Sequence, residues 1–232
     1  MNNTTLKKIL AGVVFPVIII ALVLGIVNSI MKPVRFNKQT AFRESVGIQR
    51  LKDIRTLQVA YKSVHSKYTE SVDTLVDFYN NGNMVILMQI GSADDSSAVA
   101  HTDKVKKSNR KIKPQDLYEM YLAGDKNLVF SVETKIPVSD TLFKGREDFR
   151  IDSLRTIPFS GGVPVEMEAV VKLVSGVNVP LFEARMPYKL LLKGLDNQLR
   201  INLDAEKRNQ NRFEGLQVGS VTAPNNNAGN WE

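Results

Sequence analysis

Asp94, Asp95, His101 and Asp103 put three carboxylates and an imidazole into one polar stretch, donor types that a divalent cation takes. Their spacing matches no EF-hand loop, and polar loops collect such residues for solvation, so no metal ligand is assigned to them. Directly after them, Lys104, Lys106, Lys107, Arg110, Lys111 and Lys113 bring six cations together without an intervening acid. This run is a candidate contact for an anionic partner surface; no aromatic residue interrupts it for base stacking, so nucleic acid is not an expected partner. Glu166 and Glu168 share one strand face as a carboxylate pair would, but Val165, Met167 and Ala169 alternate with them and make them the wet side of a half-buried strand.

Ser160-Gly161-Gly162 is not a G-x-S-x-G nucleophile elbow, and neither phosphate-cradling glycine motif occurs. The chain has no Cys, which excludes a disulfide scaffold, a zinc ribbon and a thiol nucleophile. Its two histidines, His65 and His101, leave little for imidazole-based acid/base or zinc chemistry. No catalytic residue, metal ligand or cofactor is therefore expected. Apolar residues make up 43%, enough to build a real core, which excludes a wholly disordered chain.

The elements that must position these residues begin with a membrane segment. Ile9 to Met31 is a run of 23 residues without a charged side chain. As a helix it would span roughly 34 Å, against a hydrocarbon core of about 30 Å. It is too long for the apolar region of a cleaved signal peptide, typically about 7–15 residues, and reads as an uncleaved transmembrane helix. Ala21, Gly25 and Ser29 recur every four residues on one face of it, a candidate surface for helix self-association. Lys7 and Lys8 precede the run; Lys32, Arg35, Lys38 and Arg43 follow it. Charge alone leans towards a cytoplasmic bulk, but a short amino tail before an anchor is the architecture of a domain displayed outside the cytoplasm, and that placement is expected.

From Thr40 to Tyr68 no Pro occurs, and Ile48, Leu51, Ile54, Tyr61, Val64 and Tyr68 recur at helical spacing. An amphipathic stalk helix is expected, with its basic side chains solvated beside anionic headgroups. Ser71 to Tyr79 predicts a second short helix, Met84 to Ile90 a buried strand, Ser92 to Lys113 a long exposed loop, and Pro114 to Leu122 another helix. Beyond Gly124 the period becomes alternating. Strands are expected over Leu128–Ile136, Phe149–Ile157, Val165–Val174, Leu181–Leu192 and Gln198–Leu203, with antiparallel pairing. The fold class is α+β: a transmembrane helix continuing into an amphipathic stalk, then a mainly antiparallel sheet. The expected division is an amino tail over 1–8, an anchor over 9–31, a stalk over 32–80, a head over 81–204 and a partly flexible, Asn-rich tail over 205–232.

The apolar segment, the helical continuation through Leu51-Lys52-Asp53-Ile54-Arg55-Thr56-Leu57-Gln58-Val59-Ala60-Tyr61, and Lys67-Tyr68 with Leu75 resemble the amino-terminal plan of type IV pilins and type II secretion pseudopilins. The chain departs from that plan in having no Gly before the apolar run and no Glu at the fifth position after such a site. The resemblance implies a filament or pseudofilament subunit without catalysis. Read from its residues alone, the chain is expected to be a non-enzymatic, single-pass envelope protein on the periplasmic side. Its partners would be the membrane, other envelope proteins and possibly other copies of itself; a membrane-tethered enzyme with an unmarked site is the third reading.

Overall fold

The computed structural model describes residues 10–232; Lys7, Lys8 and Ile9, which the expected tail and anchor include, lie outside them. A π-helical turn over Leu10–Val14 leads into helix α1, Phe15–His65. Pro16 stands in the first turn, where a missing N–H removes no helical bond, and α1 runs on through Pro33. Anchor and continuation are thus one helix of 51 residues.

Burial changes along it. Every side chain from Gly12 to Lys32 is exposed, Phe36 is the first buried one, and Leu51, Ile54 and Leu57 are completely buried. The carboxyl half is therefore a packed core helix and not a free-standing stalk. The apolar stripe expected of an amphipathic helix is there, and at Leu51, Ile54 and Leu57 it is fully enclosed.

The chain divides into two compact units, one of residues 1–53, 153–167 and 183–232, the other of 54–152 and 168–182. In the second unit, Gln58 fixes the turn after α1: its Nε2 donates to the Thr69 carbonyl at 2.6 Å and its Oε1 accepts from the Thr69 N–H at 3.1 Å. Helix α2, Val72–Asn81, starts where Ser71 accepts from the Thr74 N–H, and it buries Leu75, Val76 and Phe78. Strand β1, Asn83–Ile90, pairs antiparallel with β2, Phe130–Pro137, from Asn83 opposite Pro137 to Ile90 opposite Phe130. Between them in sequence stand α3, Ser96–Ser108, and α4, Pro114–Leu122. Leu117 of α4 joins Ile90, Leu128, Phe130 and Val132 in one apolar cluster. The short α5, Val138–Thr141, follows β2.

Strands β3, Glu166–Val174, and β4, Val177–Pro187, form a hairpin whose outer part belongs to the second unit. In the first unit, β4 pairs antiparallel with β5, Gly215–Gly219, placing Ala184 opposite Val218 and Met186 opposite Leu216. The order of this sheet is β3-β4-β5. Short helix α6, Tyr188–Leu191, and α7, Asn197–Asn209, connect the last two strands.

Five segments differ from their expected form. Ser92–Lys113 is not a loop: Asp95 accepts from the Ser97 and Ala98 N–H groups and starts α3, which buries Ala98 and Thr102. Phe149–Ile157 is not a strand but contains a 3-10 turn over Ile151–Arg155. Gln198–Leu203 lies in α7, started by Asp196 accepting from the Leu199 N–H, and the expected strand over 181–192 gives way to helix α6 at Tyr188. The segment after Glu206 is packed instead of loose: Leu216, Val218 and Val221 are buried. Residues 228–230 then line β5, with Gly219 N–H donating to the Ala228 carbonyl and Asn230 N–H to the Gln217 carbonyl. Leu216→Ala is accordingly expected to cost about 2–5 kcal/mol, measured by urea unfolding; a loss below about 1 kcal/mol would mean that the carboxyl-terminal segment contributes little to the core.

Candidate functional site

Two surfaces carry residues singled out in the sequence, and one more, a cleft, was not expected from it. The first is the exposed half of α1. Fourteen large apolar side chains between Val13 and Met31 face outwards. Leaving that many in water would cost on the order of 20–40 kcal/mol, above the about 5–15 kcal/mol that stabilises an ordinary domain. Ala21, Gly25 and Ser29 all lie on this half and are exposed; a Cβ added at Gly25 would meet nothing within 4 Å.

The helix is held in the first unit by its polar side chains as much as by its apolar ones. Arg43 Nη1 donates to the carbonyls of Leu191 at 3.1 Å and Lys193 at 2.8 Å, satisfying backbone acceptors at the end of α6. Its guanidinium also lies 4.6 Å from the centre of the Phe159 ring. Arg50 Nη1 donates to the Thr156 carbonyl at 2.7 Å. Two cations expected on a solvated face are thus structural clamps. Gly47 permits close approach, since a Cβ there would lie 2.7 Å from Leu216 Cδ1. Tyr188, almost fully buried, donates its hydroxyl to Glu44 Oε1 at 2.5 Å. Burial, then that carboxylate, pushes the phenol far above its ordinary range, so it stays a neutral donor at any physiological pH.

The second surface is a cleft of about 590 Å³ where α6, α7 and the turn before β5 meet. Lys189, Arg200, Asp204, Arg208, Arg212 and Phe213 are among its lining residues. Arg200 is paired with Asp204, and Arg208 Nε donates to Glu214 Oε1 at 2.6 Å. That bond holds the Glu214 carboxyl below, and the Arg208 guanidinium above, the usual value. Asp204 moves the other way: burial raises its pKa, only partly offset by Arg200. None of the lining residues is Ser, Thr, Cys or His; the cleft presents paired charges and one aromatic ring.

The third is the basic run. Lys104, Lys106 and Lys107 end α3, where cations meet the negative end of the helix dipole, and Arg110, Lys111 and Lys113 continue through the turn into α4. All six are exposed. The donor residues before them are not gathered into a cation site. Asp95 caps α3, and His101 Nε2 lies 2.8 Å from Asp125 Oδ2, a bond that holds the Asp125 carboxyl below its usual range. Among the described residues no group of three or more His, Cys, Asp or Glu is placed to hold a metal. Glu166 and Glu168 are exposed on β3.

Compared with protein-family models, curated proteins and solved structures, the chain matches none.

The cleft was not foreseen because its residues come from a segment read as a strand and from one read as a tail. Asp196 followed by Leu199, and Lys207-Arg208 near the end of the same stretch, were the available helix signals. Two measurements follow from this geometry. Tyr188→Phe should lose about 1.5–3 kcal/mol, and Glu44→Gln should cost less in that background than in the native protein; full additivity in the double-mutant cycle would show that the two side chains are not coupled. Asp204 has a folded-state pKa above its unfolded value, so its contribution is complete below the unfolded carboxylate range, about pH 4, and is lost as pH rises through the folded value. Asp204→Asn should flatten that fall in a series of thermal melts from pH 4 upwards.

Proposed function

We propose that this chain is a single-pass membrane protein of the cell envelope, anchored by the first half of α1, whose remaining residues bind other proteins without catalysis. The observation that carries the reading is the contrast within one helix: all side chains over Gly12–Lys32 are exposed, whereas Leu51, Ile54 and Leu57 are fully buried. About 21 exposed residues make a helix roughly 32 Å long, matching a bilayer core. An extracytoplasmic placement of the residues beyond α1 is part of this reading, and the protease test below decides it. The exposed cations at the end of α3 and the charged cleft beside α7 supply surfaces on which an acidic partner could be recognised.

A pilin-like or pseudopilin-like subunit is the second reading. It is favoured by the continuity of α1 from an exposed apolar half into a half that packs against the β-strand residue Leu216. A membrane-tethered enzyme is the third, with less behind it because the acids lining the cleft, Asp204 and Glu214, are paired with Arg200 and Arg208.

The full chain should sediment with membranes and resist carbonate extraction. Recovery in the soluble fraction with a new amino terminus near Ile30 would make the apolar run a signal peptide instead. Protease added to intact spheroplasts should degrade residues beyond α1; survival of those residues until the membrane is lysed would reverse the orientation. Pili or sheared surface filaments containing the protein would favour the second reading over the first.

A further inference from the structure

The strand edges of this protein are not treated alike. β5 is covered by the carboxyl-terminal residues, through Gly219 N–H to Ala228 and Asn230 N–H to Gln217. β3 carries Glu166, Glu168 and Lys172, charges that discourage pairing with another chain. β2 carries Glu133 and Lys135, and its outward Glu133 carbonyl accepts from Gln115 Nε2 at 3.1 Å. β1, Asn-Met-Val-Ile-Leu-Met-Gln-Ile, has no charge, no Pro and no covering segment bonded to it among the described residues.

Which β1 groups are open follows from the register. Val138 N–H donates to the Gly82 carbonyl, so Gly82 and, by alternation, Met84, Ile86, Met88 and Ile90 point their backbone groups towards β2. Pro137, which has no N–H, correspondingly faces Asn83 at a non-bonded pair. Asn83, Val85, Leu87 and Gln89 therefore turn their N–H and C=O groups to the free edge. Their side chains are exposed as well, Leu87 to 70% and Val85 to 53%.

We propose that this edge pairs with β1 of a second copy of the same chain, antiparallel and centred on Ile86. The strand is complementary to its own reverse about that centre. Val85 then faces Leu87 of the second copy, Asn83 faces Gln89, and Met84 faces Met88. The residues whose backbone groups are open fall opposite each other, as an antiparallel ladder requires, and Ile86 meets Ile86 at a non-bonded pair. Two Val85 and two Leu87 side chains form the apolar centre. The Glu133 and Lys135 positions that flank them on β2 supply a polar rim. A second copy fits better than a strand of charged sequence because every open position offers an apolar side chain or a neutral amide. The pairing joins β2-β1-β1-β2 into four strands, and it does not require α1 to lie in a bilayer.

The test uses the full chain in detergent and exploits its lack of cysteine. Ile86→Cys should form a disulfide-linked dimer on mild oxidation, since non-bonded antiparallel pairs bring Cα atoms to about 4.5 Å, within disulfide range. Leu173→Cys, exposed on the other sheet, should not. In light scattering the native chain should be dimeric, and Leu87→Lys should weaken the dimer about tenfold or more while leaving the far-UV circular dichroism spectrum unchanged. A monomeric native chain, equal cross-linking at Leu173→Cys, or a dimer indifferent to Leu87→Lys would overturn the proposal. If that last dimer were lost in Gly25→Leu, the association would belong to the small-residue face of α1. Membrane fractionation is scored separately, so failure of the edge pairing and failure of the anchor are distinguishable.

Discussion

One unbroken helix sets the terms for everything else. A helix that is apolar all round over its first 20 or so residues and apolar on one stripe thereafter must meet two different surroundings. The change comes within a few residues, between the exposed Lys32 and the buried Phe36. Pro33 falls at that junction without ending the helix. The later half then has to be covered along its stripe, and the rest of the first unit is arranged to do so. Gly47 lets Leu216 and Leu191 approach closely, while Arg43 and Arg50 reach backbone carbonyls of segments far away in sequence. A guanidinium that bonds a carbonyl answers two needs at once: its own hydration is replaced, and an acceptor outside any ladder is satisfied.

The same need explains two of the buried polar residues. Gln58 is fully enclosed yet exchanges both amide functions with Thr69, which fixes the direction in which the chain leaves α1. Thr102 is buried in α3, donating to the Ala98 carbonyl and accepting from the Val129 N–H. Each is bonded on both sides, as a polar group in a low-dielectric interior must be. Tyr188 and Glu44 repeat the pattern, tying α6 to α1 through a short charge-assisted bond.

Much of this order was legible in the sequence, and the misreadings have identifiable causes. The long apolar run, the helix after Ser71, the strands beginning near Met84, Leu128 and Val165, and the antiparallel pairing were legible in the sequence, but the strand at Met84–Ile90 is not the buried one expected: Val85 and Leu87 are exposed and only Ile90 is buried. Leu199, Ile201 and Leu203 alternate as a half-buried strand would, but in α7 that spacing turns Ile201 to the exposed side; Asp196, three residues before Leu199, was the deciding mark. In α3 the buried positions are Ala98 and Thr102, with Val105 partly buried, a helical stripe too sparse and too polar to stand out beside six cations. The carboxyl-terminal segment looked loose because of its asparagines. Asn230 in fact uses both backbone and side chain on β5, its Oδ1 accepting from the Gln217 N–H and its Nδ2 donating to the Gly215 carbonyl. A side-chain amide that imitates a peptide group leaves no trace in hydrophobic periodicity.

The treatment of strand edges ties these features to the proposed place of the protein. A chain that spends its last residues on lining β5, and sets charges along β3 and β2, has met the general hazard of open ladders on each of those strands by a different physical means. On β1 neither means is used, although a single Lys in place of Leu87 would be sterically free at so exposed a position. For a protein diffusing in three dimensions such an edge invites indiscriminate association. Anchoring by α1 would change that balance, because molecules held in one membrane share an orientation and a thin layer of volume, which raises their effective concentration towards one another and excludes most other encounters. A short neutral strand whose residues are complementary to their own reverse would then be sufficient for recognition, since a bilayer would already meet much of the orientational cost of pairing.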